Sequence, residues 1–355
     1  MSARTVKKAE QYDGPTTQWA DDDYVADRNQ SFFSRLYSGT GAFDIVGQRK
    51  RWYIVSGLIL AICLLSMIAR GFTLGIDFEG GTEISLPAKA SISTSEVEKV
   101  VGKATGMEPQ SVQTAGSGDS KTIQVRIGHL DQSQTVAMTE ALAKQFPDIQ
   151  AKDVSSSDVS STWGKEITQK MLIALAVFLV VVFIYIAVRF DREMSIAALA
   201  SLFFDLVATA GVYSLVGWEV TPATVIGLLT ILGFSVYDTV VVFDKVEENT
   251  RSVFATSRRT YGEQTNLAVN QTLMRSINTT VISVLPIIAL MVVAVWLLGV
   301  GTLKDLALIQ LVGVVVGTYS SVFLASPLLV TLKEHRKDVQ AHTRKVLARR
   351  SRSAA

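Results

Sequence analysis

Six stretches of this chain are apolar over enough length to cross a bilayer as helix, which takes about 20 residues. They run Trp52–Ala69, Met171–Val188, Ser195–Val216, Thr221–Phe243, Thr279–Leu298 and Leu306–Leu332. The first follows about fifty polar residues and ends in no small-residue cleavage site, so it reads as a span and not as a signal peptide. Between the first two spans the pattern changes. Thr82–Leu86, Thr122–Ile127 and Ile149–Val154 alternate apolar and polar positions, as half-buried strands do. Ser93 or Thr94 can cap a helix whose Val97, Val100 and Val101 share one face, and Val136–Phe146 is helix-like up to Pro147. Strand, helix, strand, helix, strand predicts a small α+β domain of the split βαβ, ferredoxin-like kind. The Ser-rich run Ser155–Thr162 is expected to be its linker back to the membrane.

The pattern divides the chain into a tail at 1–51, the first span at 52–69, the α+β domain at 70–166, spans two to six with short loops at 167–332, and a basic tail at 333–355. A longer polar segment, 244–276, interrupts the spans. The N-terminal tail, with Gly14, Pro15 and Asp21–Asp23, reads as disordered. Phe32, Phe33, Leu36 and Tyr37 share one helical face there, the pattern of a helix lying in a membrane interface or packed on protein.

Composition agrees with a membrane chain. Of 355 residues, 48% are hydrophobic and 19% charged, where a soluble chain carries about 25% charge. Basic residues set the expected orientation. Arg49, Lys50 and Arg51 precede span one, Arg189 and Arg192 lie between spans two and three, and Lys245, Arg251, Arg258, Arg259 and Arg275 lie between spans four and five. Eight Lys and Arg follow Leu332, whereas the turn Gly217–Glu219 has none and the last turn only Lys304. The positive-inside rule then places both termini in the cytoplasm and residues 70–166 outside. The simplest reading of the basic tail is that signal itself, although its chemistry also suits anionic lipid, an acidic partner or ribosomal RNA. No nucleic-acid partner is expected. One cysteine, Cys63, excludes an internal disulfide and a multi-cysteine metal site. His129 lies far along the chain from His335 and His342, there is no Walker A sequence, and no nucleophile–base pair stands out. No enzyme, metal or cofactor is therefore expected.

Two carboxylates interrupt apolar spans: Asp205 near the centre of span three, and Asp238 in the cytoplasmic half of span four. A charge at the bilayer centre costs about 2.5–3.5 kcal/mol on insertion scales, so such residues face the bundle and act there or bond between helices. A carboxylate balanced between an apolar surround and a nearby cation can load and release a proton. The candidate cation is Arg275, at the mouth of span five among Asn270, Gln271, Ser276, Asn278, Thr279 and Thr280; the plainer alternative is a positive-inside flank. Gly227 and Gly233 in span four are expected to allow close helix approach, and Pro286 in span five permits a kink.

Four motifs, in this order, carry a resemblance. Phe43–Lys50 (FDIVGQRK) leads into span one and Gly75–Thr82 (GIDFEGGT) follows its outer end. Tyr237–Lys245 (YDTVVVFDK), with VEEN at Val246–Asn249, closes span four, and Asn270–Thr280 (NQTLMRSINTT) opens span five. With six spans and one large outer loop, the chain from Phe43 to Leu332 resembles the SecF branch of the SecD/SecF protein-export family. The resemblance implies an α-helical membrane fold, half of a resistance-nodulation-division-type bundle, in the bacterial plasma membrane. It implies pairing with SecD into a pseudo-symmetric twelve-span unit. That unit uses the proton gradient to promote preprotein translocation after the SecA and SecYEG stage, so SecYEG, SecA, unfolded preproteins and membrane lipid are the expected partners. It assigns Asp238, Arg275 and Asp205 to the proton path, and Gly75, Asp77, Gly80 and Gly81 to a motif at the outer end of span one. The chain departs from the family in having Glu79 for the usual Thr and Phe204 for a frequent His. Two other readings compete: a proton-coupled half-transporter for a small hydrophobic molecule, and a passive translocon scaffold. Small-molecule exporters of this superfamily usually carry twelve spans and two large outer loops in one chain, and a scaffold has no need of Asp205 or Asp238.

Overall fold

The computed structural model describes residues 43–89, 92–115, 121–297 and 301–354. The expected interfacial helix at Phe32–Tyr37, and the tail around it, lie outside the described residues. Six described helices are long and apolar enough to cross a membrane. Span one is α1 (Arg49–Ala69). From it the chain passes through β1 (Thr73–Leu74), the one-turn helix α2 (Ile76–Glu79) and β2 (Gly81–Pro87). Then follow α3 (Thr94–Thr105), β3 (Ser111–Ala115), β4 (Thr122–Ile127), α4 (Gln132–Gln145) and β5 (Ser155–Val159). Spans two to four are α5 (Ser161–Arg189), α6 (Arg192–Val216) and α7 (Pro222–Thr250), with β6 (Glu219–Val220) between the last two. Span five is α8 (Tyr261–Ala289) continued by the π-helical run Leu290–Leu297. Span six joins α9 (Gly301–Ser320), a π turn at Ser321–Ala325 and α10 (Ser326–Glu334), and α11 (Lys337–Ala354) follows it.

Several helices outrun their apolar stretches because side chains cap them beyond the membrane. The Ser160 hydroxyl accepts from Trp163 N, starting span two well before Met171. Thr260 and Glu263 form a capping box that starts span five at Tyr261. The whole NQTLMRSINTT motif is thereby helical. Pro286 lies inside span five, and the helix loosens into π geometry one turn after it.

The soluble module has a four-stranded sheet in the order β3-β4-β2-β5, antiparallel throughout, with α3 and α4 as its connections. This β-α-β-β-α-β path is the ferredoxin-like arrangement. Alternation in β2 and β4 sends Ile84, Leu86, Ile123, Val125 and Ile127 to one face. There they meet Val97 and Val101 of α3 and Met138 and Leu142 of α4. Ser93, with Glu96, caps α3. Two expectations are corrected. Ile149–Val154 is not a strand: Ile149 drops into the core and Ala151–Asp153 makes a single 3-10 turn. The strand is instead Ser155–Val159, expected as linker; its side chains are mostly exposed, and backbone pairing with Gly81–Ser85 holds it. β3 (SVQTA) was also not anticipated, and it supplies the fourth strand.

In the bundle, span three is the enclosed helix, with 61% of its apolar window buried against 11% for each of spans one, two and five. Those three therefore leave most of their apolar surface to lipid or to a partner. Small residues set the close crossings. A Cβ on Gly211 would come within 2.6 Å of Cys63 Sγ in span one, and one on Gly227 within 3.1 Å of Leu306 Cδ1 and closer still to Ile309 in span six. Gly233 is a correction: among the described residues nothing lies within 4 Å of a Cβ built there, so it makes no close approach to them.

At the end of the bundle opposite the α+β domain, Asn266 and Asn270 of span five clamp the segment entering span one. Asn266 Oδ1 accepts from Ile45 N (2.9 Å) and Val46 N (3.0 Å), and Asn270 Oδ1 accepts from Phe43 N (3.0 Å). The FDIVG and NQTL motifs are thus two halves of one joint. Arg49 pairs with Glu334 at 2.7 Å, Arg189 with Asp244 at 2.6 Å, and Lys333 with Asp191. α11 docks here through buried Val339 and Val346 and the Arg350–Glu263 pair.

Candidate functional site

Both membrane carboxylates are buried, Asp205 at 2% exposure and Asp238 at 3%. Asp205 Oδ2 accepts from the Ser235 hydroxyl of span four, and Ser320 of span six stands beside it. Asp238 Oδ1 accepts from Ser276 Oγ of span five at 2.8 Å, with Ser321 of span six beside it. Thr239 Oγ1 donates to Ser321 Oγ at 3.2 Å, joining spans four and six at the same level. Hydroxyls of spans four, five and six therefore converge on two carboxylates carried by spans three and four. The other oxygen of each, Asp205 Oδ1 and Asp238 Oδ2, is buried with no hydrogen bond among the described residues. Such a carboxylate has one oxygen held in place and one open to a proton, so it can change charge without giving up its anchoring bond.

The thread reaches the α+β-domain end of the bundle. On α6, Ser201, Asp205, Thr209 and Tyr213 recur every fourth residue, one above another on one helix face, and all four are buried. Tyr213 Oη donates to the Asp305 carbonyl at 3.1 Å, at the start of span six.

Arg275 does not pair with Asp238. It is exposed, and its guanidinium donates to Tyr237 Oη at 3.1 Å. The adjacent pair Tyr237–Asp238 on span four faces the adjacent pair Arg275–Ser276 on span five, so two cross-helix bonds lie side by side. Asp238 takes the inner one and Arg275 the outer one, facing away from the bundle.

The motif after span one is a backbone device joined to a charge cluster. Gly75 N donates to Val220 O at 2.9 Å, β1 pairs parallel with β6, and a Cβ on Gly75 would press Thr221 Cγ2 at 3.1 Å. Gly80 (φ 82°) and Gly81 (φ 151°) hold backbone angles that disfavour a side chain, and a Cβ on Gly81 would sit 2.6 Å from Ile127 O. Asp77, in the turn between, is half-buried; burial pushes its carboxyl up from the ordinary range against the opposing pull of Arg126. Arg126 of β4 donates to Glu83 at 2.9 Å and contacts the buried Glu219 of β6.

Asp205 and Asp238 were legible as charges in apolar runs. Ser235, Ser276, Ser320 and Ser321 as hydroxyl partners were not, since a serine barely lowers hydropathy; only the doubled Ser320–Ser321 in an apolar span hinted at them. Arg126 was hidden because it occupies an ordinary polar position of an alternating strand.

Residues 138–335 match the family described as protein export membrane protein SecD/SecF, C-terminal, and residues 65–92 match the SecD/SecF GG motif. The chain is 59% identical over 331 residues to the protein translocase subunit SecF of Mycobacterium tuberculosis, covering 91% of this chain and 74% of that protein. It is 41% identical to SecF of Streptomyces coelicolor, covering 91% of this chain and 85% of that one. The crystal structure of SecDF, a translocon-associated membrane protein, from Thermus thermophilus superposes with a TM-score of 0.70 at 29% identity. That match covers 82% of this chain but 39% of the SecDF chain.

Proposed function

We propose a function from one premise: the chain belongs to the SecD/SecF family of protein-export membrane proteins. It is a multi-pass membrane subunit of the Sec protein-export machinery. Its α+β domain lies outside the cytoplasm and both termini lie inside. Its partner is SecD, and together they promote the late, proton-driven stage of preprotein translocation at SecYEG, after SecA. Two features favour that partnership. The match spans 40% of the fused SecDF relative, where SecF-like and SecD-like halves are carried together, which favours association with a SecD-like half. Arg275 faces away from the bundle, and a guanidinium turned toward lipid is costly unless a protein face covers it.

One observation carries the proton role. Asp205 and Asp238 are buried among hydroxyls from spans four, five and six, and each keeps one oxygen open. A proton on either changes the charge at the meeting point of four helices, and each charge state prefers its own helix arrangement. A scaffold gives no reason to bury two carboxylates this way. The test is complementation. In cells depleted of the native protein, Asp238→Asn should accumulate at wild-type level and purify with SecD, yet leave precursors of secreted proteins unprocessed. Normal precursor processing by this variant would leave the scaffold reading.

A further inference from the structure

The α+β domain and the bundle have separate apolar cores: no buried residue of the domain's cluster belongs to a cluster of the bundle. Their meeting surface combines the close packing of Phe78 in α2 on Gly164 of span two, a Lys304–Gln113 bond of 3.0 Å, and a charged cluster. Arg126 stands on the central strand β4, on the face turned away from the domain's helices, directly across from Glu83 of β2. Its guanidinium spans two bodies: it binds Glu83 of its own sheet at 2.9 Å and contacts Glu219 of β6. β6 belongs to the bundle, since it joins spans three and four. Asp77 and Asp305 lie within electrostatic reach of the same guanidinium. Arg126 is 15% exposed and Glu219 9%, so water screens their attraction far less than it would an exposed pair.

We propose that Arg126 is the positioning residue of the translocation cycle: it is the charged latch that holds the α+β domain in one orientation on the bundle, and losing it sets the domain free to swing. An apolar joint must expose hydrocarbon to open. An ionic one exchanges partners among Glu83, Glu219, Asp77 and Asp305, and so has discrete closed and open arrangements. The β1–β6 pairing and the Gly75–Val220 bond remain as the hinge at the chain entering the domain, and the Gln113 bonds to Lys304 and Glu219 belong to the polar joint that opens. The inference rests on the proton-driven reading for its place in the cycle. Its test uses no proton gradient, so it stands or falls apart from Asp238.

The full-length chain, with Cys63→Ser and spin labels at Lys144→Cys on α4 and Val216→Cys at the end of span three, is placed in lipid nanodiscs, and the label separation is measured by double electron–electron resonance. The native latch should give one narrow distance. Arg126→Gln should add a second, longer population, and Arg126→Lys should suppress it. If Arg126→Gln makes the domain protease-sensitive, Glu219→Gln, which leaves the Glu83–Arg126 pair intact, should give the second population in its place. A single unchanged distance in the neutral variants overturns the latch.

Discussion

Replacing Gly313 by Ala tests whether the crossing of spans four and six is as tight as the structure makes it. The added Cβ would lie 2.7 Å from Ile231 Cγ1, and nearer still to Cγ2. Carbon atoms pack at about 3.5–4.0 Å, so the shortfall is about 1 Å or more. Ile231 cannot swing aside, being β-branched and 6% exposed. The helices must part, and overpacking of this kind costs about 1–3 kcal/mol. The substitution also returns up to about 1 kcal/mol of helix propensity. Gly233→Ala on span four is the matched control: it gains the same propensity with nothing within 4 Å of the new carbon. The difference between the two variants therefore isolates the steric cost, and Gly313→Ala should be the less stable by about 1–3 kcal/mol. Helical circular dichroism during unfolding in a graded sodium dodecyl sulfate titration measures it. Ile231→Ala combined with Gly313→Ala should recover part of the loss. Ser235, which bonds Asp205, lies one turn from Ile231, so the displacement should also lower export. Equal stability of Gly313→Ala and Gly233→Ala would refute the packing.

Two further outcomes follow from the site. Because burial raises the Asp77 carboxyl, its neutral form is the one the fold favours. Its stability contribution is full below the ordinary value of about 4 and is lost as pH rises toward the raised folded value. Asp77→Asn should remove that decline and leave the protein at least as stable at neutral pH, seen in thermal unfolding profiles across the acid range; an unaltered slope contradicts the assignment. Arg275→Lys keeps the charge but loses the planar donor fork, and Tyr237→Phe removes its acceptor. Each should retain part of the precursor-processing activity while Arg275→Ala loses most of it; full activity in Tyr237→Phe would show that the outer bond is dispensable.

The spans were legible because a bilayer demands long apolar runs, and hydropathy reads those directly. The ferredoxin-like plan was legible from β2 and β4, whose alternating residues pack on the helices. β5 was not, because SSSDV buries little and is held by backbone bonds to β2, which leave no trace in side-chain pattern. The two membrane aspartates announced themselves by their cost. Their serine partners did not, since which hydroxyl meets which carboxylate depends on how four helices cross. The same limit explains Gly227 and Gly233: both are glycines in one apolar span, but only the crossing decides which faces a neighbour. Asp238 and Arg275 were expected close together, and they lie within electrostatic reach of one another without forming an ion pair. Each takes its own cross-helix bond, because consecutive residues on a helix point about 100° apart.

The central claim is that a proton on Asp238 drives the late stage of export, and completion of a trapped preprotein tests it. Vesicles carrying the chain with SecD and SecYEG hold a preprotein arrested midway, ATP is removed, and a proton gradient is imposed. A proton crossing at 100 mV releases about 2.3 kcal/mol from the potential alone. That biases a two-state movement by more than tenfold, since about 1.4 kcal/mol is a factor of ten. Gradient-dependent completion should be clear with the native chain and absent with Asp238→Asn, while the gradient-independent background stays the same in both. Equal gradient-driven rates in the two vesicle populations would contradict the account.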